Sequence, residues 1–199
     1  MVKTNKRKVD TEKMVVLAVL TAIVAVLGYI SVFIQPFGLA SLNLTLIPVV
    51  IGAAWCGPLA GAWLGGVSGA ILFANPSQLA FWLGLSIPGT IVTVMVKGIA
   101  SGLCAGVIYN LLKKCNRYLA VFVSAIICPI VNTGIFWLGC VVFFLDGVND
   151  QAISNGVSFA AFLFFFLAGI NFIVELVANI VASPLIVRIL DIVKKQLRK

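Results

Sequence analysis

The chain contains no histidine, which removes the commonest metal ligand and the side chain that most readily changes charge near neutral pH. Acidic residues are scarce too: 6 Asp and Glu stand against 14 Lys and Arg, and charged residues of both signs make up only 10% of the 199. A soluble domain carries roughly 25%. The five cysteines, Cys56, Cys104, Cys115, Cys128 and Cys140, are odd in number and contain no CxxC pair. They read as small apolar side chains, and neither a disulfide framework nor a metal site is expected. There is no GxSxG elbow, no phosphate-cradling glycine–lysine loop and no histidine–glutamate pair. The expectation is a protein that is not an enzyme and holds no cofactor, so that any drive from ATP must come from a partner.

What the chain has instead is hydrophobicity: 62% of its residues are apolar, with a mean hydropathy of +1.17. A spanning helix needs about 20 mostly apolar residues, so this length accommodates about six of them and no separate soluble domain. The net charge of +8 invites a nucleic-acid reading, but its placement argues against one. Lys3, Lys6, Arg7, Lys8 and Lys13 precede the first apolar run, Lys113, Lys114 and Arg117 sit mid-chain, and Arg188, Lys194, Lys195, Arg198 and Lys199 close the sequence. Each group flanks a span end, as cytoplasmic connections do. The charge sets orientation, and no nucleic-acid partner is expected. The basic lead and first apolar run have the look of a signal peptide, yet the run is long and no clear cleavage site follows, so it reads as a retained span.

The expected architecture is therefore an all-α integral membrane protein of six transmembrane helices with both termini cytoplasmic. Residues 1–13 form a basic cytoplasmic segment, 14–190 a single six-helix membrane domain, and 191–199 a basic cytoplasmic tail. Spans are expected over residues 14–34, 44–55, 59–73, 88–112, 118–145 and 159–190, the second bent near Pro48 and the last kinked near Pro184. Residues 35–43, 74–86 and 146–156 then become outer loops free of Lys and Arg, with Asn75-Pro76 marking a turn.

The stretch Leu42–Phe73 organises the rest. It carries no formal charge, and Gly61, Gly65 and Gly69 recur every four residues on one helical face. In lipid such a face lets a neighbouring backbone approach closely. Cys56-Gly57-Pro58 reads as a tight connection between two helices, because Pro58 lacks a backbone donor and restricts the residue before it. A second ladder, Gly98, Gly102 and Gly106, lies in the fourth span, and Ala18 and Ala22 give the first span a small-residue surface beside Ala25.

Two charges remain inside the expected membrane, Lys97 and Glu175. Groups of this kind are costly there and face a partner, a cavity or the bundle interior. Lys97 suits a substrate carboxylate, and Glu175 suits a hydroxyl or amide donor; a structural Lys–Glu pair or a snorkelling lysine is the alternative. Asn171, Glu175 and Asn179 share one helical face, and Asn132 lies in the fifth span. Amides in lipid need partners, so Asn132 and Asn171 serve either as interhelical glue or as ligand contacts, with glue favoured for Asn179. Phe162, Phe164, Phe165 and Phe166 read as lipid-facing or core.

These features together resemble the substrate-binding S component of energy-coupling factor (ECF) transporters, in its pantothenate, folate and riboflavin group. The resemblance rests on the Ala18/Ala22 pair, on LIPVVIGAAWCGPLAGAWLGGVSGAIL with its Ile47-Pro48 and Gly57–Gly61 motifs, and on NFIVELVANIVASPLIV from Asn171 to Val187. It implies capture of a vitamin outside the cell and association with a membrane-embedded coupling (T) subunit and two cytoplasmic ATPase subunits. It implies a multi-pass protein of a bacterial plasma membrane, with Ala18 and Ala22 contacting the T subunit. It puts the substrate site at Asn43, Trp82, Lys97, Asn132, Asn171 and Glu175. Lys97 points to an anionic ligand, because an unpaired ammonium in a dry site favours a carboxylate; pantothenate leads on that ground. The competing reading is a stand-alone ion-coupled secondary transporter with Glu175 as its proton or sodium site.

Overall fold

A computed structural model describes residues 2–31, 43–74, 76–167 and 169–196. Among these residues there is no strand. The elements are α1 (Val2–Ser31), α2 (Leu46–Cys56), α3 (Pro58–Leu72), α4 (Pro76–Leu85), α5 (Ile87–Leu112), α6 (Arg117–Phe143), α7 (Leu145–Ser154), α8 (Phe159–Ala161), a π-helical segment (Phe162–Leu167) and α9 (Gly169–Gln196). Four stretches are long and apolar enough to cross a membrane: Thr11–Ser31, Ile87–Leu112, Arg117–Phe143 and Asn171–Asp191. The second and third expected spans are the shorter apolar helices α2 and α3.

Local chemistry sets the boundaries. Gly57 separates α2 from α3 at φ 104°, a left-handed conformation open to glycine, and its N–H returns to the Ala53 carbonyl at 3.1 Å. Pro58 then opens α3 where no donor is needed. Ser86 caps α5 by accepting from Gly89 N–H at 3.2 Å, and Asn116 caps α6 by accepting from Tyr118 N–H at 2.9 Å.

The two glycine ladders mate. Gly61 lies against the Gly102 carbonyl, Gly65 against that of Gly98, and Gly106 against Pro58, where an added Cβ would stand 2.5 Å from the proline Cα. Backbone therefore touches backbone along the whole α3–α5 contact. α2 occupies the centre and packs against α1, α3, α5, α6 and α9. α1 leans on α2 and α3 with Leu20 and Val24 and leaves Ala18, Ala22, Val15, Val19 and Val26 exposed.

Several expectations need correction. The expected loops at 74–86 and 146–156 contain helices α4 and α7. The turn expected at Asn75-Pro76 stands at Phe73 and Ala74, Asn75 lies outside the described residues, and Pro76 opens α4, where the first helical position needs no donor. α4 buries Leu79 and Trp82, and α7 buries Val148 and Ala152, so each presents a one-sided apolar face to the bundle. Pro48 sits in the first turn of α2, where it starts the helix instead of bending it. The sixth span is not one helix but α8, a π-helical segment and α9, and α9 continues through Pro184. α1 takes in most of the basic lead. The loop expected over residues 35–43 lies, apart from Asn43, outside the described residues.

The glycine seam makes a test. Gly65→Val should destabilise the protein by about 1–3 kcal/mol or more, because overpacking against a carbonyl has no side chain to displace. Gly134→Ala, where an added Cβ meets nothing within 4 Å, should be tolerated. Thermal unfolding in detergent reads both; equal effects would show that the seam is not tightly packed.

Candidate functional site

Two apolar clusters divide the bundle along its length. One, at the end covered by α4 and α7, includes Leu79, Trp82, Val94, Cys140, Phe144, Val148 and Leu167. The other lies toward the basic end and includes Val24, Val50, Leu64, Ala105, Cys128, Ala182 and Ile186. The intramembrane polar residues fall between them on three helices. On α5, Lys97 and Ser101 lie between Val94 and Ala105. On α6, Asn132 and Thr133 lie between Cys128 and Cys140. On α9, Asn171, Glu175 and Asn179 lie between Leu167 and Ala182. Thr93 lies against Gly139, and Arg117 of α6 pairs with Asp191 of α9. That register puts Lys97, the Asn132–Phe136 turn and Glu175 at about one level. They form a polar layer between two cores.

One side of the layer is a hydrogen-bonded cluster at the start of α2. Glu175 Oε1 accepts from the Asn43 N–H at 2.8 Å. The Thr45 hydroxyl donates to Asn43 Oδ1 and accepts from the Ser68 hydroxyl, whose oxygen lies 3.5 Å from Asn43 Oδ1. This network ties α2, α3 and α9 around the carboxylate, which is 7% exposed. Asn179 Nδ2 donates to the Glu175 carbonyl at 2.9 Å, a bond within α9 that stiffens the same turn.

The other side is aromatic. Lys97 Nζ lies 5.1 Å from the centroid of the Phe136 ring. Phe136 meets Trp82 edge-on at 5.3 Å, and Trp82 also meets Phe81 at 5.0 Å and Phe144 at 5.2 Å. The aromatic contacts thus run from α4, which covers the end of the bundle, to the ammonium. Lys97 and Glu175 are within electrostatic reach of each other. Among the described residues Lys97 makes no ion pair; the pair present is Arg117–Asp191, near the basic end.

All six residues expected at a site lie in or beside this layer. Lys97, Asn132, Asn171 and Glu175 belong to it, Asn43 holds Glu175 through its main chain, and Trp82 reaches it through Phe136. Asn132 and Asn171 are buried, and Asn132 Nδ2, Asn179 Oδ1 and Thr93 Oγ1 have no hydrogen-bond partner. Buried polar atoms are rarely left so, and such a group calls for an explanation. Sequence reasoning missed Phe136, Thr45 and Ser68. The only available signal was a pair of small hydroxyls inside the uncharged stretch, and for Phe136 its spacing of four residues from Asn132. Of the phenylalanine run, Phe162 is buried and Phe164 and Phe165 are exposed.

The layer presents two donors, the Lys97 ammonium and the Asn132 amide nitrogen, and one acceptor, the Glu175 carboxylate. Among the described residues no three His, Cys, Asp or Glu side chains gather to hold a metal ion. No curated protein and no solved structure matches the chain. A family model described as ECF transporter, substrate-specific component, matches residues 12–190. With four helices long and apolar enough to cross a bilayer, this is a multi-pass membrane protein, and the extent of the match shows that the chain belongs to the substrate-specific component family of ECF transporters.

Proposed function

We propose that the chain captures a carboxylate-bearing vitamin, pantothenate foremost, at the outer face of a bacterial plasma membrane. As a substrate-specific component it is a transport subunit that works with a membrane coupling subunit and ATPase subunits. The observation that carries the ligand class is Lys97, a half-buried ammonium in the polar layer that makes no ion pair among the described residues. Pantothenate supplies one carboxylate for Lys97, and hydroxyls and an amide for Asn132, Asn171 and Glu175. Riboflavin leaves the ammonium without a ligand role, and folate asks for more stacking surface. In this reading Asn43 fixes the Glu175 carboxylate and Trp82 covers the ligand from α4.

The topology that goes with this function has six spans, counting α2 and α3, with both termini cytoplasmic. The membrane domain runs over residues 14–190, between the basic segments 1–13 and 191–199. The end capped by α4 and α7 then faces outward. At 11 and 15 residues, α2 and α3 reach only ~16 and ~22 Å against a hydrocarbon core of ~30 Å. The exposed Ala18 and Ala22 are the face for the coupling subunit, because small residues let helices approach closely without a hydrophobic drive.

Purified protein titrated with a vitamin panel should show a thermal shift with pantothenate. A ligand at 100 times its dissociation constant stabilises by ~2.7 kcal/mol. Lys97→Gln should weaken that ligand about ten- to a hundredfold, the range for a hydrogen bond to a charged group; unchanged affinity would remove Lys97 from the site. Ala18→Trp or Ala22→Trp should abolish uptake in cells that carry the whole transporter while binding by the purified subunit stays intact. If binding fell as well, the alanines would belong to the folded core instead of a docking face.

A further inference from the structure

The polar layer holds one positive and one negative side chain, and they are not joined. A lysine and a glutamate at one level of an apolar bundle would ordinarily close on each other, because their attraction grows as the dielectric falls. Here the Glu175 carboxylate is taken up by the Asn43 N–H at 2.8 Å, and the Lys97 ammonium sits over the Phe136 ring at 5.1 Å. An aromatic face is a partial counter-ion, weaker than a carboxylate. That holds an ammonium in place without neutralising it. The ring itself meets Trp82 edge-on, 5.3 Å away, and Trp82 is 5% exposed.

We infer that Phe136 is a positioning residue that keeps Lys97 apart from Glu175, and that the layer in consequence accepts ligands carrying a single negative charge and rejects dianions. This deepens the proposed function and rests on its assignment of Lys97 to the ligand carboxylate. The charge count carries the argument. Lys97 is the only basic residue outside the three clusters that flank the spans, and Glu175 is the only acidic residue in the uncharged interior of the chain. A monocarboxylate bound at Lys97 leaves the layer with one net negative charge, and Glu175 is held by the Asn43 N–H. A second carboxylate or a phosphate on the ligand would face Glu175 with no cation left to offset it, and like charges in such surroundings repel strongly. Without the ring, the ammonium is free to move toward Glu175, and a ligand must then break that pair before it can bind.

The test is a binding series on the purified full chain with three probes that share one skeleton: pantothenate, its uncharged alcohol pantothenol, and its phosphate ester. Wild type should bind pantothenate at least tenfold more tightly than either of the others. Phe136→Leu, which keeps an apolar side chain but removes the ring, should lose about tenfold for pantothenate and little for pantothenol. Phe136→Tyr, which keeps the ring, should stay near wild type. Adding Glu175→Gln to Phe136→Leu should restore the preference for pantothenate over pantothenol, whatever Glu175 itself adds as a contact, a recovery that simple loss of packing would not give. Preferential binding of the phosphate ester, abolished by Lys97→Gln, would overturn the single-charge rule and leave the role of Lys97 standing. Equal loss of pantothenate and pantothenol in Phe136→Leu, without rescue by Glu175→Gln, would reduce Phe136 to a core residue. If pantothenate does not bind, monocarboxylate, neutral and dianionic vitamins replace the three probes, and binding by none of the monocarboxylates overturns both the inference and the function it rests on.

Discussion

The contact between α3 and α5 is the constraint on which the rest of the bundle depends. Helices in lipid gain nothing from hiding apolar side chains from one another, so close backbone approach and dispersion must hold them together. Gly61, Gly65, Gly98 and Gly102 provide that approach, each backbone lying against a carbonyl of the other helix. Such a contact has no rotamers to rearrange. It fixes the relative height of α3 and α5, and with it the height of the side chains next to the glycines. Lys97 precedes Gly98, and Ser68 precedes Gly69. The two sides of the polar layer are therefore placed by residues that have no side chain.

The layer also explains how polar groups can occupy a chain with so few charges. Each helix that contributes to it is apolar above and below, so the charges are confined to one level where they can meet a ligand or each other. Part of their hydrogen-bonding capacity is met inside the protein: the Asn43 N–H binds Glu175, and Thr45 and Ser68 hold the Asn43 side chain. What is left over in the layer is an ammonium over a ring, the Thr93 hydroxyl, the side-chain nitrogen of Asn132 and the side-chain oxygen of Asn179. A bundle built only for stability would be expected to satisfy or omit these groups, since an unmet buried polar atom costs about 1–3 kcal/mol.

Much of this was legible in the sequence because membrane proteins write in few letters. Charge placement identified the span ends, and four-residue spacing identified both glycine ladders. That the ladders face each other was not legible, since it depends on the register of helices separated by α4. The charged and amide members of the layer stood out because such residues are costly in lipid. Phe136 did not, since one phenylalanine among 14 carries no mark of its role. Thr45 and Ser68 are small hydroxyls that a helix can satisfy unaided. α4 and α7 were read as loops because proline, asparagine and aspartate signal turns; their buried faces, Leu79 with Trp82 and Val148 with Ala152, are too short to register as a period. The π-helical segment has no sequence signature at all, yet it falls where the last helix enters the layer, and such segments recur at functional sites.

The two ends of the bundle are held by different kinds of contact, and that difference bears on how a ligand could enter. Below the layer, helices meet through glycine backbones and a continuous aliphatic cluster, which resist displacement because any shift breaks many close contacts at once. Above it, α4 and α7 are ten residues each and are held by aromatic edges and a few buried side chains. Elements with few buried contacts are those that open first. The covering end is thus the softer one, and Trp82, its main anchor, is two contacts from the ammonium. The placement of Lys97 is therefore linked to this weaker-held end through one pair of aromatic side chains, Trp82 and Phe136.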